Sequence, residues 1–475
     1  MAEVLTPDVC VIGGGSGGLS VAAATAAFGV SCVLIERGKM GGDCLNSGCV
    51  PSKALLAAAK RAALAQKAGA FGVHATVDVN FAKVHEHVQR VIASIAPNDS
   101  VERFTGLGVH VIKGEARFKD RRTVAVGNVH EIRARRFVIA TGSTAAAPPI
   151  PGLDKGFYFT NETIFNLTER PRHLVIIGAG PIGLEMAQGF RRLGSEVTVL
   201  EAAAPLAKDD PEAAAIVLMQ LEREGVIVHC GVNVTGVDYV GHSVMVTFTG
   251  AAGEENAEGS HLLIATGRKP SLGALDLDAA GIRHQRGGIV VKKNLKTSNG
   301  RVYAIGDCAA GQLQFTHAAN YHAGLVIRNA LFRLPVRANN NAVPWVTFTD
   351  PELAQAGMTE AAARARKIKI RILRWPYHEN DRAQTERATH GHIKVVTTRK
   401  GRILGTTIVG AEAGELISMW ALAIAQGLNI RALTGIVLPY PTLSEIGKRA
   451  AIDFFTPGLT SPLLRRIIRW LRIFG

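Results

Sequence analysis

The chain has 475 residues, 47% of them hydrophobic and 20% charged, with a formal net charge of +15. That length suits roughly three globular domains, and the balance of apolar and charged residues excludes a disordered or fibrous chain. Six cysteines are too sparse for a disulfide scaffold. The opening "MAEVLTPDVCVIGGG" has neither the basic region nor the long apolar segment of a secretory signal, so a reducing cytosol is the expected compartment. The basic excess raises the question of nucleic acid, but no recognition motif accompanies it. Part of it falls in "RKIKIRILR", where basic and apolar residues alternate from Lys367 to Ile372 as in a half-buried strand with one solvated face.

In chain order, "DVCVIGGGSGGLSVAAATAAFGVSCVLIE" reads as an apolar strand, a glycine turn, an Ala-rich helix and a second strand closing on an acid. Gly13 permits the tight turn, Gly15 lets backbone approach a pyrophosphate, Gly18 allows close helix packing, and Glu36 is placed for a ribose hydroxyl. The helix N-terminus would hold the phosphates.

Next comes "GKMGGDCLNSGCVPSK", with Cys44 and Cys49 five positions apart and Lys53 one helical turn after the second. A lasting structural crosslink would be reduced in the cytosol, whereas a catalytic disulfide that cycles is expected there. Zinc sites prefer closer cysteine pairs repeated elsewhere, and Cys10, Cys32, Cys230 and Cys308 stand alone, so no metal site is expected. Cys10 and Cys32 read as buried hydrophobes, and Cys308 as a mildly reactive thiol.

One glycine turn is a weak signal, because such turns also arise for packing alone. This chain has two. In "HLVIIGAGPIGLEMAQGFRRLGSEVTVLE", Gly178, Gly180 and Gly183 repeat the pattern, and Glu201 follows Gly178 as Glu36 follows Gly13. A carboxylate at Glu201 accepts a hydrogen bond from the NAD ribose and repels the extra phosphate of NADP, so NADH is expected ahead of NADPH. Arg191 and Arg192 lie in the preceding helix and do not overturn that choice. Two dinucleotides and a cysteine pair suggest an electron path from nicotinamide through flavin to a disulfide.

"GGDCLNSGCVPSK" resembles the redox-active segment of the FAD-dependent pyridine nucleotide-disulfide oxidoreductases, the family of lipoamide dehydrogenase, glutathione reductase and mercuric reductase. The likeness runs from the first strand to about Phe455. "FVIATGS", with Thr141 and Gly142, and "LLIATGRKP", with Gly267 and Arg268, resemble its strand-to-loop crossings beside the nucleotides. "VYAIGDCA" resembles the flavin-ribityl segment and assigns Asp307 to FAD, while "VPWVTFTDPELAQAGMTEAAAR" and "GRILGTTIVGAEAGELI" resemble the dimerisation domain.

The resemblance implies an α/β fold with two Rossmann-like dinucleotide-binding domains, for FAD and NAD(P), and a C-terminal α+β dimerisation domain. The implied segments are an FAD domain with the redox disulfide at 1–149, an NAD(P) domain at 150–270, completion of the FAD domain at 271–340, an interface domain at 341–457, and a basic amphipathic helix at 458–475. It further implies a homodimer, FAD with NADH or, second, NADPH, and cofactor contacts at Gly42, Asp43, Gly114 and Ala116. Reduced nicotinamide would deliver hydride to flavin N5, and two electrons would pass to a Cys44–Cys49 disulfide, with Cys49 beside the flavin and Cys44 exchanging with substrate. Lys53 would lie beside N5, paired with Glu185. His317 and His322 of "FTHAANYHAG" read as helix residues rather than ligands.

"VLPYPTLSEIGKRAA" separates the subfamilies. In disulfide-reducing members a histidine stands at the Tyr440 position, backed by a glutamate at the Glu445 position. A phenol titrates near pH ~10, far from the optimum of a neutral-pH general acid and base. A tyrosine there resembles mercuric reductase, and soft thiolates suit a soft metal. The expected activity is therefore electron transfer from NAD(P)H to a disulfide or a thiolate-bound metal, with dihydrolipoyl dehydrogenase and a flavin-binding scaffold without turnover as alternatives. Tyr440 is expected either to reach the other subunit's disulfide or to pack as a core aromatic. The sequence departs from mercuric reductase in showing no N-terminal metal-binding domain with paired cysteines and in ending "LRIFG" without a cysteine pair.

In the tail "TPGLTSPLLRRIIRWLRIFG", Ser461 can cap a helix that has Pro462 at its first position. At about 100° per residue, Arg465, Arg466, Arg469 and Arg472 gather on one arc. Leu463, Leu464, Ile467, Ile468, Trp470, Leu471 and Phe474 cover the other face. The segment is too short and too charged to span a bilayer. It is expected either to dock on its own dimer or to lie in a membrane interface.

Overall fold

The structure, a computed structural model, describes residues 2–459 and 461–475, so Met1 and Thr460 of the segments above lie outside the described residues. The chain forms two compact units, one of residues 2–179, 189–202 and 232–340, the other of residues 180–188, 203–231 and 341–475.

The first unit contains a five-stranded parallel sheet in the order Val302–Ala304, Arg136–Ile139, Val9–Ile12, Cys32–Glu36, Val109–Lys113. Its central strands are continuous apolar runs because both faces are covered; all four residues of Val9–Ile12 are buried. The crossover from Ile12 to Cys32 is the helix Ser16–Ala27. Between strand and helix, Gly13 adopts φ +110, and a Cβ there would come within 2.4 Å of the Ala140 carbonyl oxygen. The pattern recurs where His173–Ile177 runs parallel between Glu196–Glu201 and His261–Ile264. Gly178 also adopts φ +110, and a Cβ on it would stand 2.6 Å from the Ala265 carbonyl oxygen. The two turns are thus built alike, as the repeat in the sequence requires.

A short antiparallel pairing of Ser143–Ala145 with Arg268–Pro270 joins the two crossings, setting Arg268 opposite Ala145 and Pro270 opposite Ser143. This ladder carries Arg268 to the redox segment.

In the second unit a five-stranded antiparallel sheet runs Trp345–Thr347, Glu352–Gly357, Ile403–Gly410, His392–Thr398, Ile370–Pro376. The helices Ala413–Ala425 and Glu445–Asp453 contribute Trp420 and Ile446 to one apolar cluster with Ile393 and Ile408. The basic strand begins at Ile370, not Lys367, which has φ +55 in the turn after helix Glu360–Ala365. Its alternation is broken because Ile370, Arg371 and Ile372 are all half-buried. The Arg371 guanidinium lies 4.5 Å above the Phe454 ring.

The same unit holds a buried ion pair. The Lys394 ammonium lies 2.7 Å from Asp210, both side chains being 2% exposed. Asp210 also caps helix Pro211–Arg223 by accepting from the Glu212 and Ala213 amides. No helix among the described residues is long and apolar enough to cross a membrane.

Candidate active site

The cysteine segment folds as a five-residue helix, Gly42–Asn46, followed by the longer helix Cys49–Lys67. Gly41 and Gly42 enter it at φ +85 and +60, and a Cβ on Gly42 would sit 2.7 Å from Gly15 Cα. The Gly41 amide donates to the Gly14 carbonyl at 2.9 Å. Small residues therefore let the redox segment pack directly on the first glycine turn.

Cys44 is half-buried and Cys49 is exposed at the first position of its helix; both are free thiols. The Cys49 thiol is lowered from 9.0 to about 6. Its hydrogen bond with Cys44 is the main cause, helped by the Thr316 hydroxyl and the Lys53 ammonium and opposed by burial and the Asp43 carboxylate. The Thr316 oxygen is 3.7 Å from Cys49 Sγ. Cys44 moves strongly the other way, because it gives its proton to that hydrogen bond, with burial and the adjacent Cys49 adding. Cys49 is the thiolate of the pair and Cys44 keeps the proton.

Asp43, beside Cys44, anchors a polar network. It accepts from the Ser47 hydroxyl at 2.8 Å and the Asn161 amide at 3.2 Å, and pairs with Arg268 at 3.1 Å. Arg268 also donates to the Ser143 hydroxyl at 2.8 Å, and that hydroxyl donates to the Asp307 carboxylate at 2.6 Å. Burial pushes the Asp307 carboxyl up, against the pull of Ser143 and Arg268.

The residues present fit two dinucleotides. Helix Ser16–Ala27 starts at Gly15 with no side-chain cap, leaving its first amides to an anion. A Cβ on Gly18 would fall 1.9 Å from the Gly13 carbonyl oxygen, so this helix meets its turn closely. The Glu36 carboxylate turns to the Gly14 amide, and Glu201 likewise accepts from the Ala179 amide at 2.6 Å. Thr141 Oγ1 is buried without a hydrogen-bond partner among the described residues, and side-chain space beside Gly142, Gly180 and Gly267 is open. Gly183 lies in helix Pro181–Arg192. A Cβ on Gly114 would strike Val126 at 2.4 Å, so packing alone already requires a glycine there.

Several expectations need correction. The Ala116 methyl is 3% exposed and packs in the core, so any cofactor contact there falls to its backbone. Cys308 is not a reactive thiol: burial pushes it up to about 11, and it donates to the Ile305 carbonyl. Tyr440 is not a core aromatic, being 70% exposed, with its hydroxyl donating to Asp381 at 2.9 Å. That hydrogen bond, then the Asp381 charge, raises its pKa. The hydroxyl of Ser461 makes no cap bond, although Ser461 precedes helix Pro462–Leu471 as expected.

Other placements follow the sequence. Cys10 and Cys32 are buried in strands, and burial pushes Cys32 up to about 12. His317 and His322 lie in helix Thr316–Ala330, where the His322 ring accepts from the Gly306 amide at 3.4 Å. Lys53 lies in the helix that Cys49 opens. Glu185, in the second unit, is 5% exposed and accepts from the Phe348 amide, so it is no solvated helix charge. Glu445 opens helix Glu445–Asp453.

A family model described as pyridine nucleotide-disulphide oxidoreductase matches residues 7–323, and the model of that family's dimerisation domain matches residues 343–451. The chain belongs to the pyridine nucleotide-disulphide oxidoreductase family. It is 36% identical to a mercuric reductase of Bacillus cereus over 94% of this chain and 71% of that one. It is also 35% identical to a mercuric reductase of Streptomyces lividans and 34% identical to a dihydrolipoyl dehydrogenase of Staphylococcus aureus, each over 94% of this chain and 96% of the other. The HOCl-induced flavoprotein disulfide reductase RclA of Escherichia coli, solved as a Cu(II) complex, superposes with a TM-score of 0.85 at 28% identity, over 94% of this chain and 99% of that one. As a member of the family, this oxidoreductase uses FAD and NAD(P)H, and its dimerisation domain supports a homodimer.

Proposed function

We propose that this flavoprotein uses NADH to reduce a thiolate-bound soft metal ion, Hg(II) in the first instance, through Cys44 and Cys49. Bound FAD supplies the hydride acceptor and passes two electrons to the cysteine pair. In the overall balance, NADH and Hg(II) give NAD⁺, a proton and Hg(0). Cys49 is the thiolate that would face the bound flavin, and Cys44 carries the exchange, its sulfur taking the metal while its proton leaves on the displaced thiolate as a free thiol. Lys53 contributes positive charge to this thiolate.

The observation that carries the metal reading is Tyr440 and its bond to Asp381. Where disulfide-reducing members need a group that takes and returns a proton near neutrality, this chain has a phenol whose pKa is raised further by a carboxylate. A metal acceptor needs no such protonation of a leaving thiol. Thiolates favour soft ions, and the relatives named mercuric reductase support the same class, while the Cu(II) complex of a structural neighbour supports metal binding more broadly.

We assign 1–149 and 271–340 to the FAD domain, 150–270 to the nucleotide domain and 341–457 to the interface, and place the protein in the reducing cytosol, with any membrane contact peripheral and through residues 458–475.

Purified holoenzyme should be assayed with NADH against thiol-complexed Hg(II), Cu(II), lipoamide and glutathione disulfide. Turnover of metal with little of either disulfide supports the proposal. Rapid lipoamide turnover without metal turnover would replace it by a dihydrolipoyl dehydrogenase. A flavin that stays oxidised under anaerobic NADH and NADPH would leave a scaffold without turnover.

A further inference from the structure

We propose that the C-terminal helix seats this enzyme on an anionic lipid bilayer. From Thr456 to Gly475 the chain has four arginines and no aspartate or glutamate. Helix Pro462–Leu471 turns Arg465, Arg466 and Arg469 to one side, with Arg472 following on the same arc. All of them are exposed, and so is the apolar face: Leu463 is 67% exposed, Ile468 49%, Trp470 58% and Phe474 72%. A terminal helix that closed on its own chain would bury that face.

Charge and apolar surface together select the partner. A nucleic acid would engage the arginines and leave the leucines and isoleucines wet. A bilayer interface takes both, with guanidinium groups at anionic headgroups and aliphatic side chains below them. Trp470 lies between the two arcs, where an amphipathic ring belongs at the headgroup level, and its ring meets Phe474 at 5.0 Å. A helix of ten residues is about 15 Å long, half the hydrocarbon thickness, so it lies along the surface. A homodimer presents two such helices, and their joint engagement multiplies two weak affinities.

The test is co-sedimentation of the intact holoenzyme with vesicles of phosphatidylcholine alone or mixed with phosphatidylglycerol, at low and high salt. Each arginine should contribute on the order of fivefold in partitioning. The variant Arg465→Glu/Arg469→Glu should therefore lose roughly 25-fold or more. A chain ending at Pro457 should lose binding altogether, with the dimer and NADH oxidation retained. Equal sedimentation of intact and shortened protein, or equal binding to neutral vesicles, overturns the proposal. So does dissociation of either variant into monomers, which would give the helix to the subunit interface instead.

Discussion

The Cys49 thiolate should depend on a proton donor more than on a nearby charge. At about pH 6 for its midpoint, Cys49 is roughly nine-tenths thiolate at pH 7, against a few per cent for an unperturbed thiol. The main cause is the Cys44 hydrogen bond, so Cys44→Ala removes a charge-assisted bond of about 1.5–3 kcal/mol. At 1.36 kcal/mol per pH unit the midpoint should rise to ~7–8. The sign follows from the state that is stabilised: the donor favours the ionised sulfur, so losing it makes Cys49 hold its proton to higher pH. Thr316→Val removes a neutral donor at 3.7 Å and should raise the midpoint by about one unit or less. The assay is the pH dependence of iodoacetamide alkylation in anaerobically reduced holoenzyme, with Cys49 resolved from Cys44 by peptide mapping. Salt should weaken the contribution of Lys53 while leaving the two hydrogen bonds intact. An unchanged midpoint near pH 6 in Cys44→Ala would refute the account and transfer the effect to Lys53 and the helix start.

Tyr440→Phe should slow acceptor turnover while leaving flavin reduction by NADH nearly unchanged, and Asp381→Asn should lower the phenol's pKa toward its ordinary value; equal acceptor rates in wild type and Tyr440→Phe would remove the tyrosine from the reaction. NADH should be preferred over NADPH in kcat/KM by about 10–100-fold, the value of a charge-assisted bond at Glu201, and Glu201→Ala should largely erase the preference; a wild-type preference for NADPH would contradict this. Lys394→Met should cost about 3–5 kcal/mol in chemical denaturation because it strands the buried Asp210 charge, whereas Lys394→Met combined with Asp210→Asn, which keeps a helix cap, should cost much less; additive losses would argue against the pairing.

The glycine turns, the two closing acids and the cysteine pair were legible because each is a local pattern: a positive φ or a close backbone approach restricts the residue types at positions such as Gly13 and Gly178. What remained hidden is long-range pairing. Thr316 lies 267 positions from Cys49, and Asp381 lies 59 from Tyr440. No spacing rule joins them. Ser143 and Arg268 meet because two short strands pair antiparallel, an event with no periodic signature in so brief a segment. Burial of Ala116, in a strand, and of Cys308, at the end of a 3-10 turn, was equally unreadable, since a small apolar side chain suits a core and a cofactor wall alike. The alternation in "RKIKIRILR" overstated its strand by three residues, because the left-handed turn at Lys367 shares the same composition.

The chain of contacts from Asp43 through Arg268 and Ser143 to Asp307 also constrains how this protein can diverge. Arg268 is the link that touches both Asp43 and Ser143, so replacing it alone would divide the chain of contacts, leaving Asp43 with Ser47 and Asn161 and Ser143 with Asp307. A change at Arg268 should therefore be felt at both ends at once, while a change at either end leaves the other with its local partners. One guanidinium thus ties the cysteine helix to the strand Ser143–Ala145, and through it to the 3-10 turn Gly306–Cys308, although the three lie far apart along the chain.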